Sequence, residues 1–457
     1  MIDTIAAIAT PLGSGGIGIV RISGPKAEEI GRQIFRPTKA PCPFATHRLY
    51  HGDILSPETK TVLDEGLICL MRTPHSYTGE DVLEIHCHGS SAILQAVLVG
   101  VLRIGARIAE PGEFTRRAYL NNRMDLSQAE AVADLVAAKT AKAHDMALVQ
   151  LKGGLTEKVQ AWHSALADQL ALLEAACDFP DDDLEMQSLT FIADRLEPVV
   201  GEIRKLLVTY EEGRIYREGL RVVIAGRPNV GKSSLLNRLL GEERAIVTPI
   251  PGTTRDFIEG HIRINGVFVR LTDTAGIRES SNIIEKEGVE RVWKQASEAD
   301  LVIFLLDGSQ DLLREDREII DTIGTKKMLV AVNKDDLPRR LEDEAIEEIL
   351  SGADSIRISA KYGAGLDRLR QKIYETVLGK EDASDEEIVL CNLRHKQVFE
   401  NIDILLKKSL ESLREGLSPE FAAQDIRDTL KCLGEITGKT TSEDILDRIF
   451  STFCIGK

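Results

Sequence analysis

The sequence predicts a multidomain α/β plus all-α protein. An N-terminal α/β domain precedes a discontinuous helical domain, and a second α/β domain is inserted between the helical halves. Three observations predict this. The chain has 457 residues, more than one hydrophobic core usually serves. Short β-branched runs alternate with helical stretches after Arg221, the pattern of a parallel, helix-covered sheet. Helical periodicity with abundant alanine lies on both sides of that region. The expected domains are 1–120, 121–217, 218–380 and 381–457, the second and last being two halves of one helical domain.

Each element follows from local pattern. "GIGIVRISG" and "VLEIHCHG" read as glycine-punctuated strands, and "SSAILQAVLVGVLRIGA" as an amphipathic helix. Leu166, Leu170 and Leu173 fall at i, i+4 and i+7 and predict a long helix. The acidic "DFPDDDLE" at 178–185 reads as a solvated break between helices, with metal binding the alternative. "RVVIAG", "FVRLTD", "LVIFLLD", "MLVAVNK" and "IRISA" are the strands of the inserted domain. Val398, Ile402 and Leu405, then Leu406, Leu410 and Leu413, restore the helical period. No fixed-period repeat is visible.

Composition narrows the classes of function. With 43% hydrophobic and 28% charged residues the chain is globular. A net charge of −16 and a pI near 5.2 mean that any nucleic acid must meet a local basic patch. Thr115-Arg116-Arg117 is the nearest candidate, and two arginines do not establish RNA binding. The seven cysteines form no C-x-x-C pair, which argues against zinc and disulfide frameworks and fits a reducing cytosol. The start lacks the basic and apolar regions of a signal peptide, and no apolar run reaches the roughly 18 residues needed to span a bilayer. A cytoplasmic protein with no membrane partner is expected. The ending Cys454-Ile455-Gly456-Lys457 is a poor prenylation box, because Gly456 replaces an aliphatic residue and Lys457 is not a usual terminal residue.

Four spaced motifs carry the chemistry. "GRPNVGKSS" (226–234) is a complete G-x-x-x-x-G-K-S between a strand and a helical run. The backbone around Asn229, Val230, Gly231 and Ser234 would cradle phosphate oxygens, Lys232 would reach the β/γ oxygens, and Ser233 would hold Mg²⁺. "DTAG" (Asp273, Thr274, Ala275, Gly276) would approach Mg²⁺ and the γ-phosphate. In "NKDD" (Asn333, Lys334, Asp335, Asp336), Asp336 can accept from guanine N1 and N2 while Asn333 reads the other edge. "SAK" (Ser359, Ala360, Lys361) adds a backbone contact to the base. GTP over ATP, and a Ras-like P-loop GTPase domain, are the expectation.

Two details bear on mechanism. Ile277 occupies the place where many small GTPases carry a water-orienting glutamine. "TPIPGTTRD" (248–256, including Thr248, Pro249, Ile250, Pro251, Gly252, Thr253 and Thr254) supplies oxygens near the phosphates. With Asn229 these suit a monovalent cation, one threonine facing it and the other Mg²⁺. Arg255 and Arg278 are either finger residues or surface arginines.

Beyond these motifs, "GIVRISGP", "YTGEDVLEIHCHG", "PGEFTRRAYLNNRMDLSQAEAVADL", "PGTTRD", "DTAGIRES" and "SEDILDRIFSTFCIGK" resemble the MnmE (TrmE) family of tRNA-modification GTPases along essentially the whole chain. The resemblance implies a homodimer formed through the N-terminal domain. It also implies a heterotetramer with the flavoprotein MnmG (GidA), acting on C5 of the wobble uridine of certain tRNAs. A 5-formyl- or 5,10-methylene-tetrahydrofolate would be the one-carbon donor, and the product 5-carboxymethylaminomethyluridine. It implies K⁺ at Asn229 and Thr253 with the backbone of Thr248 and Ile250, Mg²⁺ at Ser233 and Thr254, and Glu285 as the water-positioning acid. The folate site would combine Arg21, Glu84, Arg123 and Lys457, with arginine at 123 where the family often has lysine. Cys454 is read as a nucleophile, a proton donor or a buried packing residue. Glu84, His86 and His88 alternate on one strand and raise a metal alternative. The competing functions are a GTP-dependent ribosome-assembly factor, which typically adds a basic RNA-binding module, and a non-catalytic GTP-regulated scaffold.

Overall fold

The computed structural model describes residues 3–11, 13–39, 44–178, 186–242, 259–273, 297–324, 327–350, 355–379 and 388–457. The chain forms two compact units: Met1–Val136, Ala147–Gly201 and Val398–Lys457 in the first, and Ala137–Met146 with Glu202–Gln397 in the second.

The first unit opens on a seven-stranded sheet. Its strands are β1 (Ile5–Ile8), β2 (Gly15–Ser23), β3 (Phe35–Pro37), β4 (Arg48–Leu55), β5 (Val62–Met71), β6 (Val82–Gly89) and β7 (Arg107–Ile108), in the order β3-β4-β5-β6-β2-β1-β7. All pairings are antiparallel except β1 with β7. Helices α1 (Ala27–Ile34) and α2 (Ser91–Arg103) supply Ile30, Ile34, Val97 and Val101 to a core with Ile22, Ile54, Ile68 and Ile85. Period-two alternation then decides the site. Val20 and Ile22 face that core, so Arg21 faces away; Leu83 and Ile85 do likewise for Glu84. Register places Arg21 directly across from Glu84.

The helices of this unit are α3 (Glu113–Leu120), α4 (Leu126–Ala137), α6 (Gly154–Asp178), α7 (Met186–Val208), α13 (Leu393–Arg414), α14 (Pro419–Thr437) and α15 (Glu443–Phe450); α5 (Ala141–Leu151) follows α4. The expected leucine seam on α6 is present, with Leu166 and Leu173 fully buried, and α6 packs along α14. Trp162 meets Phe399 edge-on at 5.8 Å. Ile402, Leu406 and Leu413 are buried as their spacing predicted. Helix α6 ends at Asp178 and α7 begins at Met186; residues 179–185 of the acidic stretch lie outside the described residues. Leu446 and Phe450 of α15 pack with Phe453 on Leu126, Ala129 and Val132 of α4.

The second unit carries a six-stranded sheet of β8 (Leu220–Ala225), β9 (Glu259–Ile264), β10 (Val267–Asp273), β11 (Leu301–Asp307), β12 (Met328–Asn333) and β13 (Ser355–Arg357), ordered β13-β12-β11-β8-β10-β9. Only β9 is antiparallel to its neighbour. Its helices are α8 (Tyr210–Glu218), α9 (Lys232–Glu242), α10 (Arg314–Ile323), α11 (Asp343–Leu350) and α12 (Leu366–Leu378). Leu235, Leu239, Leu369 and Ile373 cover one face, and Ile323 and Ile346 the other. Burial on both faces explains why every residue of β11 is apolar up to its terminal Asp307. The five strands expected here form where expected. The unanticipated β9 is joined to β10 by Asn265-Gly266, both at positive φ (48° and 80°), as a two-residue hairpin turn requires.

Candidate functional site

The phosphate-binding loop leaves β8 at Ala225 and enters α9 at Lys232. Gly226 has φ 151°, and a Cβ there would lie 2.5 Å from Leu305 O. Gly231 has φ 103°, and a side chain would meet Asn333 Nδ2 at 2.3 Å. Both glycines are demanded by close packing as well as by conformation. Asn229 between them is itself left-handed at φ 65°. Lys232 is buried, and its ammonium donates to Gly226 O at 2.7 Å and Arg227 O at 2.8 Å. Burial lowers its pKa, with Asp273 opposing the shift. A buried cation that hydrogen-bonds to loop carbonyls is suited to an incoming phosphate. Ser233 Oγ donates to Asp273 Oδ2 at 2.7 Å, so two hard oxygen groups converge where Mg²⁺ is expected.

The base-reading loop is built from the ends of β12 and β13. Asn333 is buried; its Nδ2 donates to Val230 O at 2.8 Å, and its Oδ1 accepts from Ala360 N at 2.9 Å. Its amide therefore ties the phosphate loop to the SAK loop, with one Nδ2–H left for the base. Lys334, at φ 65°, donates to Asp307 Oδ2 at 2.6 Å. Asp336 Oδ1 accepts from Ser359 Oγ at 2.6 Å, which fixes the carboxylate expected to read guanine. Asp335 is outside that pairing and lies 3.2 Å from Arg339. Ser359 and Ala360 are buried, whereas Lys361 is exposed with its ammonium 4.9 Å from the Tyr362 ring centre. Val230 is buried and Ser234 exposed. Thr248, Pro249, Ile250, Pro251, Gly252, Thr253, Thr254, Thr274, Ala275, Gly276 and Glu285 lie outside the described residues, as do Arg255, Ile277 and Arg278.

A second constellation sits on the first unit. Arg21 Nε and Nη2 both meet Glu84 Oε1 at 2.9 Å, and Glu84 Oε2 is 3.2 Å from His86 Nε2. The His86 hydrogen bond and the Arg21 charge hold the Glu84 carboxyl below its ordinary range. The Arg21 guanidinium lies 5.6 Å from the Tyr77 ring centre and 5.8 Å from that of Phe114. The tail comes to this place: Arg21 Nη1 donates to Gly456 O at 3.3 Å, and Cys454 O accepts from Gly112 N at 3.5 Å. Gly456 has φ 97°, and a Cβ there would stand 2.4 Å from Ile8 O. Lys457 is half-buried at the end of this turn, its N–H donating to Cys454 O at 3.3 Å. An ionised carboxylate, a guanidinium and two rings fit a flat heterocycle with donor groups and an anionic tail.

Several expected residues can be placed here. Cys454 is exposed, so the buried packing role does not apply. Arg123 is exposed beside Gly79 and takes no part in the Arg21–Glu84 bonds. Arg117 is enclosed by Asp3, Glu80 and Glu113, and Arg116 pairs with Asp447 at 2.9 Å, so this tripeptide is not a basic patch. His88 turns to Asp64 at 2.8 Å, away from the Glu84–His86 pair. Among the described residues no cluster of three His, Cys, Asp or Glu suits a metal. Sequence reasoning missed Tyr77 and Phe114, whose approach to Arg21 is tertiary, and Asp307, which ends its strand as the partner of Lys334.

A G-x-x-x-x-G-K-S loop, the Ser233–Asp273 pair and the Asn-Lys-Asp-Asp loop on one mainly parallel sheet mark a P-loop GTPase. The flanking regions narrow this further. The MnmE helical domain model matches residues 126–454, and the model of the GTP-binding protein TrmE N-terminus matches residues 4–123. The tRNA modification GTPase MnmE of Syntrophus aciditrophicus (strain SB) is 52% identical over 455 residues, covering 100% of this chain and 99% of that protein. That of Geobacter metallireducens is 46% identical over 456 residues, with coverage of 100% and 99%. Among solved structures, the G domain of the T. maritima FeoB iron transporter is 28% identical over 34% of this chain and 98% of that chain, with a TM-score of 0.28. The chain belongs to the MnmE family of tRNA modification GTPases. Among the described residues, no helix is long and apolar enough to cross a membrane.

Proposed function

We propose that this chain is a K⁺-activated GTP hydrolase of the cytoplasm which, with the flavoprotein MnmG, modifies C5 of the wobble uridine in certain tRNAs using a tetrahydrofolate one-carbon unit. The observation that carries the proposal is the presence, within one chain of this family, of the phosphate loop with its Ser233–Asp273 pair and of the Arg21–Glu84 pair that meets the C-terminal tail. The domain division at 1–120, 121–217, 218–380 and 381–457 is part of the same proposal, as are the homodimer and the heterotetramer with MnmG.

In the hydrolysis step, Lys232 exchanges its loop carbonyl partners for β/γ oxygens, and the backbone from Asn229 to Ser233 orients the triphosphate. Ser233 and Thr254, with Asp273 near, would hold Mg²⁺, and Asn229, Thr248, Ile250 and Thr253 would hold K⁺; the two cations neutralise charge on the phosphates. Glu285 would position the attacking water, replacing the glutamine absent at Ile277. In the pocket, Glu84 would accept from pteridine N–H groups, while Arg21, Arg123 and Lys457 would meet the glutamate tail. Cys454, exposed at the pocket's tail, has the access a nucleophile or proton donor needs.

GTP turnover measured in K⁺ and in Na⁺ tests the hydrolytic half of the proposal. Turnover is expected to be much faster in K⁺, and a Glu285→Ala variant to lose most of it. Equal and negligible rates in both salts would instead support a GTP-regulated scaffold.

A further inference from the structure

The loop that follows β13 closes on itself. Ser359 N donates to Ala364 O at 3.0 Å, Gly363 N donates to Ser359 O at 2.7 Å, and Gly363 takes φ 86° to complete the turn. Ser359 Oγ accepts from Tyr362 N at 3.2 Å and itself donates to Asp336 Oδ1 at 2.6 Å. One buried serine therefore fixes the Tyr362 backbone and the Asp336 carboxylate relative to each other. Tyr362 is 63% exposed, so core packing does not account for where its ring lies. What the ring does meet is the Lys361 ammonium, 4.9 Å from its centre.

Other cations of the base-reading loops are already committed to acids. Lys334 pairs with Asp307 at 2.6 Å, Arg339 with Asp335 at 3.2 Å, and Arg357 with Asp343. Lys361 differs. Among the described residues it forms no ion pair, and the Asp336 carboxylate accepts only from Ser359. The two charges are nonetheless close enough to act on each other: the Tyr362 hydroxyl, and then the Asp336 charge, hold the Lys361 ammonium above the usual lysine range. An ammonium on a flexible four-carbon stem can swing onto a neighbouring carboxylate. Here that carboxylate is the one expected to accept from guanine N1 and N2, so the swing would put a competitor where the base must bind.

We propose that Tyr362 is a positioning residue for guanine recognition: its ring holds the Lys361 ammonium by a cation–π contact and so keeps the Asp336 carboxylate open to the base. A lysine over an aromatic face gains about as much at an exposed site as an exposed lysine–carboxylate pair does, so the ring is a sufficient rival for the charge. Ser359 supplies the geometry, because the same hydroxyl that orients Asp336 also receives the Tyr362 N–H. The proposal rests on the assignment of Asp336 to guanine and adds what keeps that acid available.

The test uses the full chain with GDP as the probe, titrated in Mg²⁺ at one fixed KCl concentration, together with kcat and KM for GTP. Tyr362→Ala is expected to weaken GDP binding about three-fold and to raise the KM by the same factor at an unchanged kcat. Tyr362→Phe keeps the ring and should recover most of the affinity. Lys361→Gln keeps a polar stem without the charge, and in that background Tyr362→Ala should cost nothing further. A parent-like GDP affinity in Tyr362→Ala would overturn the proposal. So would an equal loss in both backgrounds, which would mean that Tyr362 only shapes the turn. Asp336→Ala tests the underlying assignment: parent-like GDP affinity there would remove Asp336 from guanine recognition and overturn both. A loss in Asp336→Ala beside none in Tyr362→Ala would overturn the role of Tyr362 alone.

Discussion

Asp316 is 1% exposed, yet it carries a carboxyl group whose pKa burial raises. Its Oδ2 lies 3.3 Å from Arg227 Nε, the residue after the first glycine of the phosphate loop, and accepts from Leu313 N at 3.1 Å. Arg227 Nη2 donates to Gln310 Oε1 at 2.9 Å. The loop that Lys232 leans on is therefore braced from α10, while Lys334 of the base-reading loop is braced from Asp307 only a few residues earlier. Removing one partner of a buried pair strands the other charge. Asp316→Ala is expected to destabilise the protein by about 3 kcal/mol in denaturant unfolding and to raise the KM for GTP. Asp316→Asn, which can still accept from Leu313 N, should lose less. An unchanged midpoint in Asp316→Ala would show that Arg227 is held by Gln310 alone.

Among the elements, the C-terminal tail makes the most specific fit. Phe450 and Phe453 anchor it through an apolar cluster, and Gly456 then passes so close to Ile8 that no side chain is tolerated. Gly456→Ala is therefore expected to lift the tail from β1 and break the Arg21–Gly456 bond. Carboxypeptidase should then digest the ending faster, while GTP turnover stays at the parent rate. A tail digested no faster than the parent's would mean that the backbone had adjusted around the added methyl.

The elements also show what a sequence reveals. The phosphate loop was legible because its ligands are consecutive, and the five strands of the second unit because burial on both faces leaves continuous apolar runs. The strand β9 lies outside the sequence expectation, although its Asn265-Gly266 turn is a readable hairpin signal. Arg21 and Glu84 were named through resemblance alone; their contact depends on antiparallel register, which residue types do not specify. Arg116 and Arg117 do not form a basic patch, as two adjacent arginines cannot establish one: Asp447 and Glu80 meet them in space.

At the scale of the whole molecule, an acidic chain of a tRNA modification GTPase family carries a P-loop GTPase sheet in one unit and the Arg21–Glu84 pair in the other. The central claim is that this machinery serves the wobble uridine. Mass analysis of tRNA nucleosides from cells lacking the protein tests it most directly. Loss of the C5-modified wobble uridines, restored by the intact chain, is the predicted result; unchanged modification in those cells would contradict it.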